Sequence, residues 1–379
     1  MNGETSRDAQ RAEPLVSVGL PTRNRAHLLP EALESLLNQT YQNIEYVISD
    51  NASTDGTEAL LRSYAVQDPR IRYIRQPADI NGMENHEFVL REAKGKYFMW
   101  ASDDDWWHPR FVETLVDVLE RNPAYGVAMS HYYKYIVHQG APFTREVTHD
   151  FTHLSHRELY RAYLRGRVTH VFFFGLYRTP LLKKIFQRKT PWWFNGLTLT
   201  LSEVALATRS FSVPEFLHRQ LQDARLHTVR HPTNPYTFGE LEPFAVTRFV
   251  LTIPWWLFTS AAIPLRRKHL ILGPWLCRAW LYKRKMAREI WRFVRYSMLP
   301  FDKNKINLEG LLDEWLASVN YGVLANDLFF IKRYAKMDKS EVLGRIKARK
   351  EILERETSDR LSADQIAKLT FLETVLIKI

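Results

Sequence analysis

Hydrophobic and polar positions switch between two periods along the first third of the chain. Leu15-Val16-Ser17-Val18-Gly19-Leu20 is a short apolar run rich in β-branched residues and predicts a strand. Residues 28–37 then place Leu29, Leu33, Leu36 and Leu37 on one face of a helix. The exchange repeats: strand at 44–49, helix at 57–66, strand at 71–74, helix at 83–93 closed near Gly95, strand at 96–101, helix at 111–120 entered through Pro109, and strand at 126–130. Strand–helix repeats of this length predict an α/β fold with a mainly parallel sheet and helices on both faces. Ligands of such sheets bind outside the carboxyl ends of the strands. Three predicted strands end in compact polar clusters: Pro21-Thr22-Arg23-Asn24-Arg25, Asp50 to Gly56, and Ser102-Asp103-Asp104-Asp105.

The remainder changes character twice. Residues 171–177 predict a buried strand and 197–207 a helix, so the first domain is expected over 15–235 after a disordered 1–14. From 249 to 265 runs a stretch of 17 uncharged residues interrupted by Pro254 and Pro264, just short of the roughly 20 that span a bilayer. It predicts an interfacial or re-entrant segment within a Trp-rich basic region at 236–300. Residues 301–379 predict a C-terminal helical region, whose segment 339–360 is polar nearly all round.

Composition narrows the classes. Of 379 residues 45% are hydrophobic, which is enough for a core and excludes a disordered chain. The one cysteine, Cys277, excludes an internal disulfide framework, and residues 1–13 hold no apolar signal core, so a cytoplasmic protein is expected. The net charge is +11, and ten Lys/Arg against one acid lie between Arg266 and Arg295, among Trp255, Trp256, Trp275, Trp280 and Trp291. Clustered base beside tryptophan is a membrane-interface pattern, so an anionic membrane surface is an expected partner; a solvent- or partner-facing basic bundle is the alternative. No nucleic-acid-binding motif accompanies the charge, and no nucleic acid partner is expected. His227 and His231 lack the clustered ligands a metal site needs.

Three consecutive carboxylates at a strand end repel one another, and a hard divalent cation removes that penalty. Such a cation also bridges the phosphates of a nucleoside diphosphate. The competing reading is an acidic stretch favoured by the dipole of the helix entered at Pro109. Trp106 and Trp107 beside it either stack on a ligand or cap the core.

Five pieces in order resemble the family 2 glycosyltransferases of the GT-A fold. Pro21-Thr22-Arg23-Asn24-Arg25 is similar to the family's P-T-Y-N-R start, and Ser35-Leu36-Leu37-Asn38-Gln39-Thr40 to its S-x-L-x-Q-T. Asp50-Asn51-Ala52-Ser53-Thr54-Asp55-Gly56-Thr57 is similar to D-D-G-S-T-D-G-T. Asn81-Gly82, Asn85 and Ala93-Lys94-Gly95-Lys96-Tyr97 follow, and the aspartate cluster closes the match. The resemblance implies a nucleotide-sugar pocket lined by Pro21, Thr22, Asn24, Arg25, Asp50, Asn51, Asn85 and Asp103, and a Mn or Mg ion on Asp104 with Asp103. Ser102 stands where the family pattern has its first aspartate, which leaves the ligand frame open between Asp103/Asp104 and Asp103/Asp105. Asp50 could instead cap a helix, and Asn85 could be a surface helix residue.

The second half matches through Phe174 to Arg178 and through Ser212-Val213-Pro214-Glu215-Phe216-Leu217-His218-Arg219. Where the family carries its general base this chain has Asn195-Gly196, and the nearest acid is Glu203 in an apolar helix. Glu203 is therefore the expected base, with Asp105 a second catalytic carboxylate; Asp223 and His170 are weaker candidates. The alternative for Glu203 is pairing with a cation such as Arg209. The implied activity is inverting transfer of a sugar from a nucleotide-diphosphate sugar to a lipid-linked or growing cell-surface glycan, at the inner face of the cell membrane. A catalytically weak nucleotide-sugar-binding scaffold in a glycan-assembly complex is the alternative.

Overall fold

The computed structural model describes residues 13–80, 82–138, 141–165, 175–188, 196–223, 245–297 and 339–356, with 369 and 373. They fall into two compact units, the first made of Met1–Lys189, Leu197–His227 and Thr259–Leu270, the second of Thr190–Gly196, Thr228–Phe258 and Ile271–Ile379.

The first unit opens with the predicted alternation: β1 (Val16–Thr22), α1 (Leu29–Leu37), β2 (Ile44–Asp50), α2 (Thr57–Gln67), β3 (Ile71–Arg75), α3 (Gly82–Glu92), β4 (Tyr97–Trp100), β5 (Trp106–Trp107) and α4 (Phe111–Arg121). β1 is buried along its whole length, as a central strand covered on both faces must be. α1 and α4 bury Leu29, Leu33, Leu36, Phe111, Val112 and Leu115 against it. β1 pairs in parallel with β2 and β4, and β2 with β3. The register sets Thr22 opposite Asp50 and Gly19 opposite Trp100, so the polar strand ends share one rim. Gly95 enters this arrangement by necessity: a Cβ there would lie 2.6 Å from the Ser17 amide nitrogen.

The rest of the unit turns the sheet over. β6 (Tyr125–His138), β7 (Ala141–Val147), α5 (His156–Leu164), β8 (Leu176–Arg178), α6 (Thr179–Ile185), α7 (Gly196–Ala207) and β9 (Arg209–Asp223) follow. The strand order is β3-β2-β1-β4-β8-β6-β9-β5, with β7 on the flank of β6. β8 is antiparallel to both β4 and β6, and β5 to β9, so the mainly parallel sheet expected from the alternation is confined to β3-β2-β1-β4 and the β6–β9 pair. The strand expected at 126–130 runs on to His138, and only the end of the one expected at 171–177 is described.

The second unit contains α8 (Ala245–Thr259, whose last residue belongs to the first), α9 (Leu272–Ser297) and α10 (Lys339–Glu356). No described helix is long and apolar enough to cross a membrane. The uncharged stretch from 249 is split: α8 holds Pro254 within it and ends at Thr259, and a 3-10 turn (Leu265–Leu270) follows. Of the five tryptophans, Trp256 is buried, Trp275 donates to the Val250 carbonyl (2.6 Å), and Trp255, Trp280 and Trp291 stand 63%, 68% and 58% exposed.

His149 ties the segment before α5 to β9. Its ring stacks on Phe151 (4.8 Å) and its Nδ1 lies 3.2 Å from the Ser212 hydroxyl. Burial, then the neighbouring His131, pushes its pKa down from 6.5 to about 4. A histidine held neutral in the fold but free to charge when unfolded stabilises fully above pH 6.5 and progressively less as pH falls towards 4. Denaturant midpoints should fall across that window, with His149 contributing about 1–3 kcal/mol of the loss, and His149→Phe should flatten the slope.

Candidate functional site

The loops after β1 and β2 are stitched to one another before they meet any ligand. The Asn24 amide donates to the Ser53 hydroxyl (2.9 Å), the Thr54 amide to Asn24 Oδ1 (2.8 Å), the Arg25 amide to Thr57 Oγ1 (2.9 Å) and the Ala26 amide to Asp55 Oδ2 (3.2 Å). Asn24 and Ala52 both adopt φ 53°, the left-handed region that suits asparagine but costs alanine about 1–2 kcal/mol. Ser53, Thr54, Asp55 and Thr57 thus shape the turn.

Asp50 is fully buried. Its Oδ1 accepts from the Ser53 amide (2.9 Å) and hydroxyl, and its Oδ2 from Tyr73 (3.0 Å). Asn51 reaches the next loop, donating to Asp79 Oδ1 (3.0 Å) and the Ile80 carbonyl (2.7 Å) while accepting from the Ile80 amide (2.8 Å). Asp79 in turn pairs with Arg23. Asn85 is buried rather than a surface helix residue: it accepts from the Ser49 hydroxyl (2.6 Å) and donates to the Ser49 carbonyl (3.1 Å), fastening α3 to β2. Asp50, Asn51 and Asn85 brace the strand ends and the loops after them, while Pro21 and Thr22 end β1 beside them. Asn81, His170, Asn195, His227 and His231 lie outside the described residues.

The three aspartates after β4 meet three different fates. Thr22 Oγ1 donates to Asp103 Oδ2 (2.7 Å), and Arg25 Nε stands 3.7 Å from Asp103 Oδ1. Asp105 is buried and turned towards β9: His218 Nε2 donates to its Oδ2 (3.0 Å) and the Leu221 amide to its Oδ1 (2.9 Å). Asp105 is therefore a structural pin, and of the two open ligand frames only Asp103/Asp104 keeps free carboxylate oxygen. Among the described residues Asp104 accepts from the Ser102 hydroxyl alone. Burial, then the charges of Asp103 and Asp105, pushes its pKa up to about 7. Burial also raises that of Asp103, against the pull of Arg25.

A site with an anion held this reluctantly fits a divalent cation. Among the described residues no three His, Cys, Asp or Glu side chains gather to hold an ion by themselves. Two carboxylates completed by substrate phosphates and water are the coordination that Mg²⁺ prefers. Trp107 packs in the core, stacked on His218 at 5.4 Å, whereas Trp106 is only half-buried.

Glu203 departs from expectation. It is 1% exposed, and its Oε1 accepts from Arg188 Nη2 (3.2 Å) and from the Ser260 hydroxyl. The pairing cation is Arg188, not Arg209, which lies over the Tyr125 ring (4.9 Å) and donates to the Thr152 carbonyl (3.2 Å). A base must reach its acceptor's proton; a carboxylate enclosed by an ion pair and a hydroxyl does not offer itself for that. His218, Tyr73 and Asp79 were invisible as partners, since their roles appear only when residues far apart in sequence meet. His218 carried one signal, its place in the Val213-Pro214-Glu215 motif.

Removing Asp105 should therefore uncouple the acidic loop from β9. Asp105→Ala removes the carboxylate that ties the buried His218 ring and the Leu221 amide to the acidic loop and should cost roughly 2–4 kcal/mol in denaturant unfolding, whereas Asp104→Ala at the open position should be neutral or stabilising.

Residues 17–186 match the family described as Glycosyl transferase family 2. The glycosyltransferase GlyG of Streptococcus pneumoniae is 32% identical over 121 residues, 32% of this chain and 40% of that protein. An uncharacterized glycosyltransferase of Rickettsia bellii is 37% identical over 110 residues, 28% of this chain and 15% of that protein. The chain thus spans well under half the length of these relatives. Among solved structures, S. aureus TarS 1-349 in complex with UDP-GlcNAc superposes with a TM-score of 0.53 at 16% identity, covering 96% of this chain and 91% of that one. That likeness speaks for the fold alone. The strand-end motifs, the acidic loop and the matched residues agree: residues 17–186 are similar to the Glycosyl transferase family 2 domain, and the fold is GT-A.

Proposed function

We propose that the protein transfers a sugar from a nucleotide-diphosphate sugar to a hydroxyl of a lipid-linked or growing cell-surface glycan, by a metal-assisted single displacement with inversion. The observation that carries this reading is Asp104, the one carboxylate of the cluster left with a single hydroxyl donor and pushed up to about 7. Asp103 and Asp104 would hold the Mn or Mg ion, which supplies charge neutralisation as the nucleoside diphosphate leaves. Thr22 and Arg25 orient Asp103 from the end of β1, and the stitched loops around Asp50 and Asn51 frame the nucleotide pocket. The acceptor hydroxyl attacks the anomeric carbon as the bond to the nucleoside diphosphate breaks, and its proton passes to a carboxylate other than the enclosed Glu203 and Asp105. A complex with UDP-GlcNAc is known for TarS, which supports a donor of this chemical class.

A second reading has a specific observation behind it. Glu203 and Asp105, the two carboxylates expected to work on protons, are both enclosed by internal partners. A nucleotide-sugar-binding scaffold of weak catalytic power would have this arrangement.

The exposed Trp255, Trp280 and Trp291 support a peripheral position at the inner membrane face. Flotation with anionic liposomes at low salt should carry the wild-type protein, and Trp280→Ala with Trp291→Ala should reduce the bound fraction several-fold; wild-type protein that stays at the bottom overturns this placement.

The class itself is tested by titrating UDP-, dTDP- and GDP-sugars with and without Mn²⁺ or Mg²⁺. One donor should bind in a metal-dependent manner and be released slowly as its nucleoside diphosphate, and Asp104→Ala should abolish both. Metal-dependent binding without any turnover on glycan acceptors selects the scaffold, and absence of binding to every donor rejects both readings.

A further inference from the structure

The nucleotide half of the first unit is β3-β2-β1, and the acidic loop leads from β4 to β5 at the other end of the strand order. Asp105 is followed at once by Trp106, which pairs with Arg219 of β9. β9 in turn lies along β6, with Tyr133 opposite Arg219 and Tyr135 opposite Leu221. Side chains alternate across a strand, and here the two faces differ sharply. One is core: Tyr132 is fully buried, with His218 at 6.1 Å and Trp107 stacked beyond it.

The other face carries a row of half-buried aromatic planes. Tyr133 stacks on Phe216 at 4.7 Å and 22°. The Arg219 guanidinium lies 5.5 Å from the Tyr135 ring centre and 5.8 Å from that of Trp106, and Glu31 neutralises it. These planes retain unspent polar groups. The Tyr133 and Tyr135 hydroxyls and the Trp106 indole N–H have no hydrogen-bond partner among the described residues, and none of the three is enclosed in the interior.

We propose that Trp106, Tyr133, Tyr135, Phe216 and Arg219 form a subsite for a pyranose ring of the acceptor, so that the group receiving the sugar is itself a glycan. The inference rests on the glycosyl-transfer reading and names the acceptor's chemistry within it. A pyranose presents an apolar C–H face bordered by hydroxyls. Aromatic planes with phenol and indole donors at their edges match both parts at once. A lipid chain needs an apolar surface without free donors. A nucleobase belongs at the ends of β1 and β2, which β4, β8 and β6 separate from this row. The loop bearing Asp103 and Asp104 leads directly into Trp106, two residues after Asp104, so the row begins where that loop ends.

The probes are octyl β-glycosides of glucose, galactose and N-acetylglucosamine, with octane-1,2-diol as the lipid-like control, added to the full-length protein and read by saturation-transfer NMR. At least one glycoside should show its strongest transfer at ring C–H protons and the diol none. Trp106→Ala and Tyr135→Ala should weaken that glycoside about tenfold, Tyr135→Phe by less, while calorimetric affinity for the nucleotide sugar stays within twofold. Transfer to the octyl chain alone, equal binding by the Trp106→Ala and Tyr135→Ala proteins, or displacement of the glycoside by free nucleoside diphosphate would each overturn the subsite. Should an alanine variant fail to fold, Trp106→Phe and Tyr135→Phe carry the same comparison. Because glycoside binding is read without turnover, loss of the subsite and loss of the donor reading remain distinguishable: the first shows in the NMR spectra, the second in the nucleotide-sugar titration.

Discussion

Three adjacent carboxylates cannot all stay charged and buried, and the architecture of the first unit follows from how it separates them. Like charges at such spacing interact by several kcal/mol wherever water is excluded. Asp103 is balanced towards β1 by Thr22 and Arg25, and Asp105 is balanced towards β9 by His218 and the Leu221 amide. Asp103 is thus held towards β1 and Asp105 towards β9, which leaves Asp104 between them with the Ser102 hydroxyl. The mixed strand directions beyond β4 serve this division, because only a β9 lying beside β5 can bring His218 back to the acidic loop.

Much of the fold was legible in advance. The change of period from two to 3.6 located eight of the nine elements from β1 to α4, all but the two-residue β5, within a residue or two at each end. β5 is too short to carry a period of its own. The antiparallel insertions went unread for a different reason. Alternation reports that a strand is buried, whereas its direction depends on partners such as Arg178 opposite Tyr97.

The site was legible as a neighbourhood more than as a set of roles. Residue types at strand ends gave the cluster, and the structure brings Thr22, Asp50 and Asp103 to one rim. Which oxygen is spoken for depends on contacts no spacing encodes: His218 meets Asp105 across 113 positions and Ser260 meets Glu203 across 57. Asn85 shows the same limit from the other side. Its amide faces Ser49, so a residue suited to ligand contact instead secures a helix. For the tryptophans, composition supplied the number but not the division into buried Trp256, half-buried Trp275 and exposed Trp255, Trp280 and Trp291.

The return of Thr259–Leu270 to the first unit has a consequence for how that unit comes into being. Ser260 completes the enclosure of Glu203, and Arg267 donates to the last carbonyls of α7, those of Leu206 (3.1 Å) and Ala207 (2.6 Å). α7 therefore emerges from the ribosome some fifty residues before the groups that satisfy its interior charge and its C-terminal end. Until they arrive, buried Glu203 lacks its Ser260 hydroxyl donor and the end of α7 lacks the Arg267 guanidinium. The first unit is discontinuous along the chain, and its final closure during synthesis waits on a segment that follows α8.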